Sequence, residues 1–520
     1  MLDWLRFRLA SVEAMPLLAV LGICSGVFAG SINVLFRLTV EFAQGSFLPG
    51  GRPENYEGLS LEARLLTASL GGLIIGLVWQ FVTSETRRVG VVHVMERLAY
   101  YQGYLPFKNA LMQFIGAALS VISGQSVGRE GPGVHLGAAS GSLIGQWLEL
   151  PNNSTRTLVA CGVAAAIAAS FNTPIAGVIF AMEVVLMEYT IAGFAPVILA
   201  AVTATILTRG VFGPDPAFSV PSLEMGSLLE LPYIVAMGFI IGVLAFLFIY
   251  LLERFDQWGS RIAVWQRLTI AGVATGVCGL FVPEIMGIGY DTVNQALLGE
   301  LGLWLLGSIL LMKLFATTMG LGLGLPGGLI GPTLVIGAAA GGFLGLIANL
   351  IFPGHVSSHG FFAMLGMGAM MGATLQAPLA ALMAMLELTA NPNIILPGML
   401  AVIVAGMTSR HLFRKESVFL VLLKSQGMDY RNDPVTQSLR RVGVASVMDR
   451  SFVTAERLQS LDSAKELVRE KPTWILIHEK GQPKSLLLAA DLARHVNAAE
   501  DDQVDLLKIP GQRHDVAPIS

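Results

Sequence analysis

The chain alternates long apolar stretches with short polar turns. The apolar stretches fall at about 15–43, 64–82, 106–122, 132–147, 157–168, 173–189, 191–209, 229–254, 264–281, 302–320, 329–351, 360–373, 376–390 and 394–409. A helix needs ~20 apolar residues to span a bilayer, and several of these stretches are shorter. Many are also interrupted by Gly or Pro. Short, broken segments of this kind predict discontinuous helices whose irregular backbone lines a buried site. The polar stretches 44–63 and 210–228 read as the longer loops, and after Gln426 the pattern turns charged and soluble.

Two ordered matches reveal an internal repeat. Gly131-Pro132-Gly133-Val134-His135-Leu136-Gly137-Ala138-Ala139 returns as Gly331-Pro332-Thr333-Leu334-Val335-Ile336-Gly337-Ala338-Ala339, 200 positions on. Phe171-Asn172-Thr173-Pro174-Ile175-Ala176 returns as Leu375-Gln376-Ala377-Pro378-Leu379-Ala380, 204 positions on, with Glu183 matching Glu387. Duplicated halves place a site at their interface. The expected organisation is an N-terminal amphipathic segment at 1–14, a first membrane repeat at 15–210 and a second at 226–425. A small α/β domain at 442–500 and a tail at 501–520 follow. The basic run Arg410, His411, Arg414, Lys415 puts the C-terminal region in the cytoplasm by the positive-inside rule. The first residues, Met1 to Arg8, fit a segment lying on the same membrane face, without the features of a cleaved signal peptide.

Composition narrows the class. Of 520 residues 54% are hydrophobic and 13% charged, which excludes an ordinary soluble domain. Cys24, Cys161 and Cys278 lie in separate apolar stretches with neither disulfide nor metal-ligand spacing, so no metal site is expected. Nothing in the charge pattern suggests nucleic acid as a partner, and no catalytic constellation points to an enzyme.

The informative charges sit between apolar stretches, in Ser123-Gly124-Gln125-Ser126-Val127-Gly128-Arg129-Glu130-Gly131-Pro132-Gly133. An ionisable group at bilayer depth faces a cavity or pathway as a rule. Pro132 reads as the first residue of a helix, and a helix starting inside the membrane offers bare N–H groups and the positive end of its dipole to an anion. Glu130 is a tethered carboxylate at that end, read here as a plug in an anion site and otherwise without a partner. The competing reading is a Gly-rich turn with an exposed Arg–Glu pair. Lys313, Glu183 and Glu387 are further charges within apolar stretches. The two glutamates fit capping or pairing roles, and Lys313 fits balancing buried carboxylates or raising the local anion concentration.

Gly128-Arg129-Glu130-Gly131-Pro132 resembles the G-[KR]-E-G-P motif of the CLC chloride channel and transporter family. Gly328-Leu329-Ile330-Gly331-Pro332 is similar to its G-x-F-x-P motif, and the resemblance runs over about residues 15–425. It implies an inverted-repeat homodimer in the cell (inner) membrane, one anion pathway per subunit, and chloride as substrate with no cofactor. Glu130 would be the gating glutamate, with Arg129, Gly131 and the amides of Leu329 and Ile330 around the anion. The family's G-S-G-I-P falls on Arg88-Val89-Gly90-Val91-Val92, so Val89 replaces an anion-contacting serine beside Gly90. The family's anion-contacting tyrosine corresponds to Phe419, and its inward proton glutamate to Val184.

The tail is similar to one CBS motif. Phe452-Val453-Thr454 follows Val447-Met448-Asp449, a helical run begins near Ser463, and strands at Trp474–Ile477 and Leu486–Leu488 flank a turn at Lys480-Gly481. Val516-Ala517-Pro518-Ile519 reads as the first strand of a second motif. Of the nucleotide-contacting pattern only Asp491 remains, so nucleotide binding is not expected.

Together these features predict an all-α polytopic membrane protein with a small cytoplasmic α/β domain, conducting anions passively through a pore gated by Glu130. A chloride/proton antiporter is the first alternative. A cation transporter with a regulatory CBS domain is the second, and a membrane-anchored sensor the third.

Overall fold

The computed structural model describes residues 15–189, 191–215, 218, 225–353, 356–428, 451–498 and 502–516. The segments 1–14, Val447–Asp449 and 517–519 lie outside them. The chain forms two compact units, Met1–Arg441 and Val442–Ser520.

Among the described residues, the named elements of the first unit are all helices. Its first half contains α1 (Met15–Phe47), α2 (Leu61–Phe81), α3 (Gly90–Tyr100), α4 (Phe107–Ile122), α5 (Glu130–Trp147), α6 (Asn152–Phe171), α7 (Pro174–Phe180) and α8 (Ile191–Phe212). The second half contains α9 (Leu231–Gly259), α10 (Val264–Phe281), α11 (Tyr290–Leu298), α12 (Leu303–Gly322), α13 (Ile330–Ile351), α14 (His359–Leu375), α15 (Pro378–Thr389), α16 (Ile395–Met407) and α17 (Val418–Ser425). Among the described residues, nine helices are long and apolar enough to cross a membrane. The others are shorter, as broken helices around an internal site must be.

Equivalent residues of the two halves meet each other, which defines a two-fold relation. A Cβ on Gly72 of α2 would stand 2.9 Å from the Cα of Gly272 on α10, and one on Gly272 would stand 3.0 Å from the Cα of Gly72. No side chain fits at that crossing. The reciprocity extends to α7 and α15, which both begin with proline after a residue in left-handed conformation, Asn172 or Gln376. Glu387, on α15, accepts the Ile175 and Ala176 N–H groups at the start of α7 (3.0 and 2.7 Å). Glu183, in the wide turn Ala181–Leu186 that extends α7, accepts those of Leu379 and Ala380 at the start of α15 (3.2 and 2.7 Å). Each glutamate caps the helix of the other half.

The first N–H groups of a helix have no partner within it, so the caps matter energetically. Replacing Glu387 or Glu183 by Ala strands two amides and is expected to cost about 1–3 kcal/mol. Thermal unfolding in detergent measures it: each variant should melt several degrees lower, with the Gln variants intermediate. An unchanged midpoint in both Ala variants would mean that the caps contribute nothing.

Lys313 of α12 is 0% exposed and, among the described residues, has no carboxylate within ion-pair distance. Its Nζ donates to the carbonyls of Ile285, Gly287 and Ile288 (3.0, 3.0 and 3.2 Å), fixing the loop that leads into α11. Its counterpart 200 positions earlier, Gln113 of α4, holds the start of α3 in the opposite sense, as an acceptor: its Oε1 takes the Gly90 N–H at 2.6 Å. One half of the protein thus holds this loop with a charge and the other with a neutral amide.

The second unit has a four-stranded sheet in the order β1 (Phe452–Glu456), β3 (Trp474–Glu479), β4 (Gln482–Leu488), β6 (Arg513–Asp515), and a two-stranded ribbon of β2 (Leu458–Ser460) with β5 (Gln503–Asp505). The β1–β3 pair is parallel and is joined through α18 (Leu461–Arg469), while β3 and β4 form a hairpin over Lys480-Gly481, both at positive φ. With α19 (Ala489–Ala498) they bury Ile475, Ile477, Leu487, Leu492, Val504 and Leu506. Arg513–Asp515 pairs antiparallel with β4 and closes this unit's own sheet, and the strand expected at 516–519 lies, but for Val516, outside the described residues. Arg457 binds Asp505 through Nε (3.1 Å) and Nη2 (2.9 Å), and this guanidinium holds the Asp505 carboxyl below the usual carboxylate range.

Candidate functional site

The two Gly-rich loops cross where the halves meet. Gly128 N–H donates to Gly328 O and Gly328 N–H to Gly128 O, both at 2.7 Å, as an antiparallel bridge between residues 200 positions apart. The helices α5 and α13 leave this bridge from adjacent positions, so their positive ends converge on one place and the two halves run in inverted senses. Gly131 is required there, since a Cβ would lie 2.7 Å from the Cα of Gly328.

Two sequence-based expectations are corrected at this point. The helix begins at Glu130, with Arg129 as its cap, and Pro132 occupies the third position. Proline is tolerated throughout the first turn because those N–H groups have no partner within the helix. The Gly128 amide is not bare either, being spent on the bridge to Gly328.

Glu130 is 0% exposed and is not without a partner. Its Oε2 accepts the Gly331 N–H at 3.1 Å, and its Oε1 accepts the Tyr290 hydroxyl. The carboxylate of the first half therefore lies on the helix start of the second. Arg129 is close by, with Nε 4.0 Å from Glu130 Oε1 and Nη1 3.6 Å from Glu41.

Cavities lie on both sides of this carboxylate. One, of about 340 Å³, is lined by Arg129, Tyr290, Arg37, Glu41, Glu54 and Asp291 among others. The other, of about 500 Å³, is lined by Val89, Gly90, His93, Gly131, Leu329, Ile330 and Phe419, with Arg87, Arg88 and Arg267 on its wall. Arg129 faces one and Gly131 the other, while Glu130 between them lines neither. It stands as a partition.

The structure thus brings Val89, Gly90, Gly131, Leu329, Ile330 and Phe419 to one cavity, and separates Arg129 to the other. Gly90 lines the larger cavity with its N–H held by Gln113 Oε1. Val184 is 4% exposed and lines neither cavity. Glu183 and Glu387 are occupied as caps and Lys313 as a loop anchor.

Sequence reading missed Tyr290, Glu54 and the histidine pair. Tyr290 starts α11 as Gly90 starts α3, 200 positions earlier, so carrying the repeat offset back to residue 90 would have found it. The Tyr290 N–H donates to Glu54 Oε2 (3.3 Å). Burial pushes the Glu54 carboxyl, in the loop before α2, up to about 7, with the charge of Asp291 adding to the effect. On the opposite side of Glu130, His93 Nδ1 and His135 Nε2 are 2.8 Å apart, and Arg97 Nε donates to His93 Nε2 at 3.1 Å. The corresponding residues of the second half are Val293 and Val335, both buried.

Inverted repeats of broken helices, converging on a carboxylate between two cavities, define a multi-pass membrane protein of the ion-transporting kind. Residues 71–410 match the voltage gated chloride channel family, and the chain belongs to it. It is similar to a putative chloride channel protein ClcB-like of Ralstonia nicotianae, 34% identical over 78% of this chain and 95% of that one. It also resembles an H(+)/Cl(-) exchange transporter ClcA of Vibrio cholerae serotype O1, 30% identical over 72% and 83% of the two chains. Among solved structures, a slow cyanobacterial Cl-/H+ antiporter superposes with a TM-score of 0.69 at 23% identity, covering 79% of this chain and 97% of that one, which is a likeness of fold.

Proposed function

We propose that this protein carries chloride across the inner membrane by passive, channel-like conduction, gated by protonation of Glu130. The observation that carries this reading is the buried carboxylate on Gly331 N–H and Tyr290 O–H, between two cavities. An anion entering from either side meets a fixed negative charge occupying donors at a converging pair of helix starts. Protonation removes the charge, weakens both hydrogen bonds and frees the donors. The wall arginines Arg87, Arg88 and Arg267 would raise the local anion concentration.

Passive conduction is favoured over antiport because the two acids on the wall of the Phe419 cavity, Glu96 and Asp256, make no hydrogen bond to Glu130, and Glu96 is paired with Arg88 at 2.5 Å. Position 184 is a buried valine, and the carboxylate of Glu183 is engaged by two amides. The second reading, chloride/proton exchange, is favoured by His93 and His135, which run from the wall of that cavity towards α5. Arg97 weighs against it. A guanidinium can only donate, so it fixes the neutral His93 proton on Nδ1, and a relay would require Arg97 to let go. Relatives with either activity in their names are about equally similar.

The protein is a homodimer packed through 173–209 and 376–409, with both termini cytoplasmic. The CBS-like unit modulates transport without binding a nucleotide, since the Asp491 carboxylate already accepts the Gln512 N–H and an Arg494 donor, each at 2.7 Å. In proteoliposomes under a KCl gradient the reversal potential should sit near the chloride potential. A value near the potassium potential would overturn anion conduction and favour a cation carrier.

A further inference from the structure

The pore lacks the side-chain donors that its motifs would ordinarily supply. Val89 and Phe419 have none, and the Gly90 amide is taken by Gln113. Once Glu130 leaves its place, the groups it releases are one backbone N–H, of Gly331, and one side-chain O–H, of Tyr290.

We propose that Tyr290 selects the anion: its hydroxyl, freed when Glu130 is protonated and moves away, donates to the ion that takes the carboxylate's place. This rests on the gating reading of Glu130 given above and adds a residue to it. The phenol is built as a fixed donor. Its ring meets Phe218 edge-on (centroids 5.3 Å apart, 78°) and lies tilted against Phe171 at 6.0 Å. The Arg129 guanidinium stands 5.2 Å from the ring centroid, and the Tyr290 backbone N–H is tied to Glu54. None of these contacts involves the hydroxyl, so none is lost when Glu130 departs. The O–H is then left buried with a choice between an anion and an unpaired state, and an unpaired buried donor is costly.

The chemistry sets the preference. An O–H and an N–H converging on one point suit a compact spherical anion, which accepts from any direction. Planar nitrate accepts well only near its own plane, so the same pair serves it less well. Sites that hydrogen-bond their ligand discriminate far better than sites that do not. The hydroxyl that the motif positions lack is therefore supplied from the start of α11, by a different element of the fold.

The test separates the two roles of Tyr290, as latch for Glu130 and as ligand for the anion. In the Glu130→Gln background the latch is already gone. Adding Tyr290→Phe, which keeps the ring and its packing, should weaken chloride binding about 3- to 10-fold, the range of one neutral hydrogen bond. It should also move the chloride-to-nitrate permeability ratio towards one. Unchanged affinity and selectivity in a double variant that remains well dispersed would overturn the assignment and leave Tyr290 as a latch only. Tyr290→Phe alone, read at acid pH where the gate is open, supports the same comparison should the double variant fold poorly. Loss of the gating reading would look different: Glu130→Gln would retain the wild-type pH dependence whatever stood at 290.

Discussion

Glu130→Gln will conduct at pH 7.5 about as fast as the unmodified protein does in acid, and acidification will no longer accelerate it through this residue. Glutamine keeps the size of the side chain and removes its charge. The carboxylate is held by two charge-assisted hydrogen bonds, from Gly331 N–H and Tyr290 O–H. Each bond to a charged group contributes ~1.5–3 kcal/mol, against ~0.5–1.5 for a neutral one. Neutralising the side chain therefore favours release by roughly 2–3 kcal/mol, and 1.4 kcal/mol is a factor of about ten. The expected gain in chloride flux at pH 7.5 is about 30- to 150-fold, measured as chloride efflux from proteoliposomes. A shallow dependence should persist around pH 7 from Glu54, whose carboxyl titrates at about 7. Its protonation removes a negative charge from the Arg129-lined cavity as pH falls, so flux rises, and Glu130→Gln/Glu54→Gln should be flat through that range. Glu130→Gln flux that stayed low at pH 7.5 would mean that the plug is not this carboxylate.

Much of this site can be read from the chain because it is local. Gly128 to Pro132 and Gly328 to Pro332 announce themselves through glycines at a close backbone crossing and prolines in a first helical turn, and they recur 200 positions apart. Glu183 and Glu387 were visible as matching acids for the same reason. What they bind was visible only as a possibility, since the caps are exchanged between halves. The missing information is contact between distant segments. Tyr290 reaches Glu130 across 160 residues, and only its place 200 positions after Gly90 distinguishes it from any buried tyrosine. Gln113 takes the Gly90 amide from another helix, so a glycine that fits the motif is lost as a donor. The start of α5 at Glu130, two residues before Pro132, puts the carboxylate inside the first turn and aims it at α13.

Little or no proton transport coupled to chloride is the second large expectation. Stoichiometric exchange requires the carboxylate in the pore to be loaded with protons from one side and chloride from the other. Tyr290, Arg129 and Glu54 connect Glu130 with one cavity. The other is lined by His93, with its tautomer fixed by Arg97, and by Glu96, bound to Arg88, and Asp256, neither of which hydrogen-bonds to Glu130. Protons then reach and leave Glu130 from the same side, which gates the pore without driving anything uphill.

The most direct measurement places the unmodified protein in liposomes under an outward chloride gradient, with valinomycin and potassium setting the voltage and a pH electrode outside. Chloride should leave with no sustained proton movement above that of protein-free vesicles. Uphill proton movement in step with chloride, abolished by Glu130→Gln, would contradict passive conduction and make the protein an exchanger.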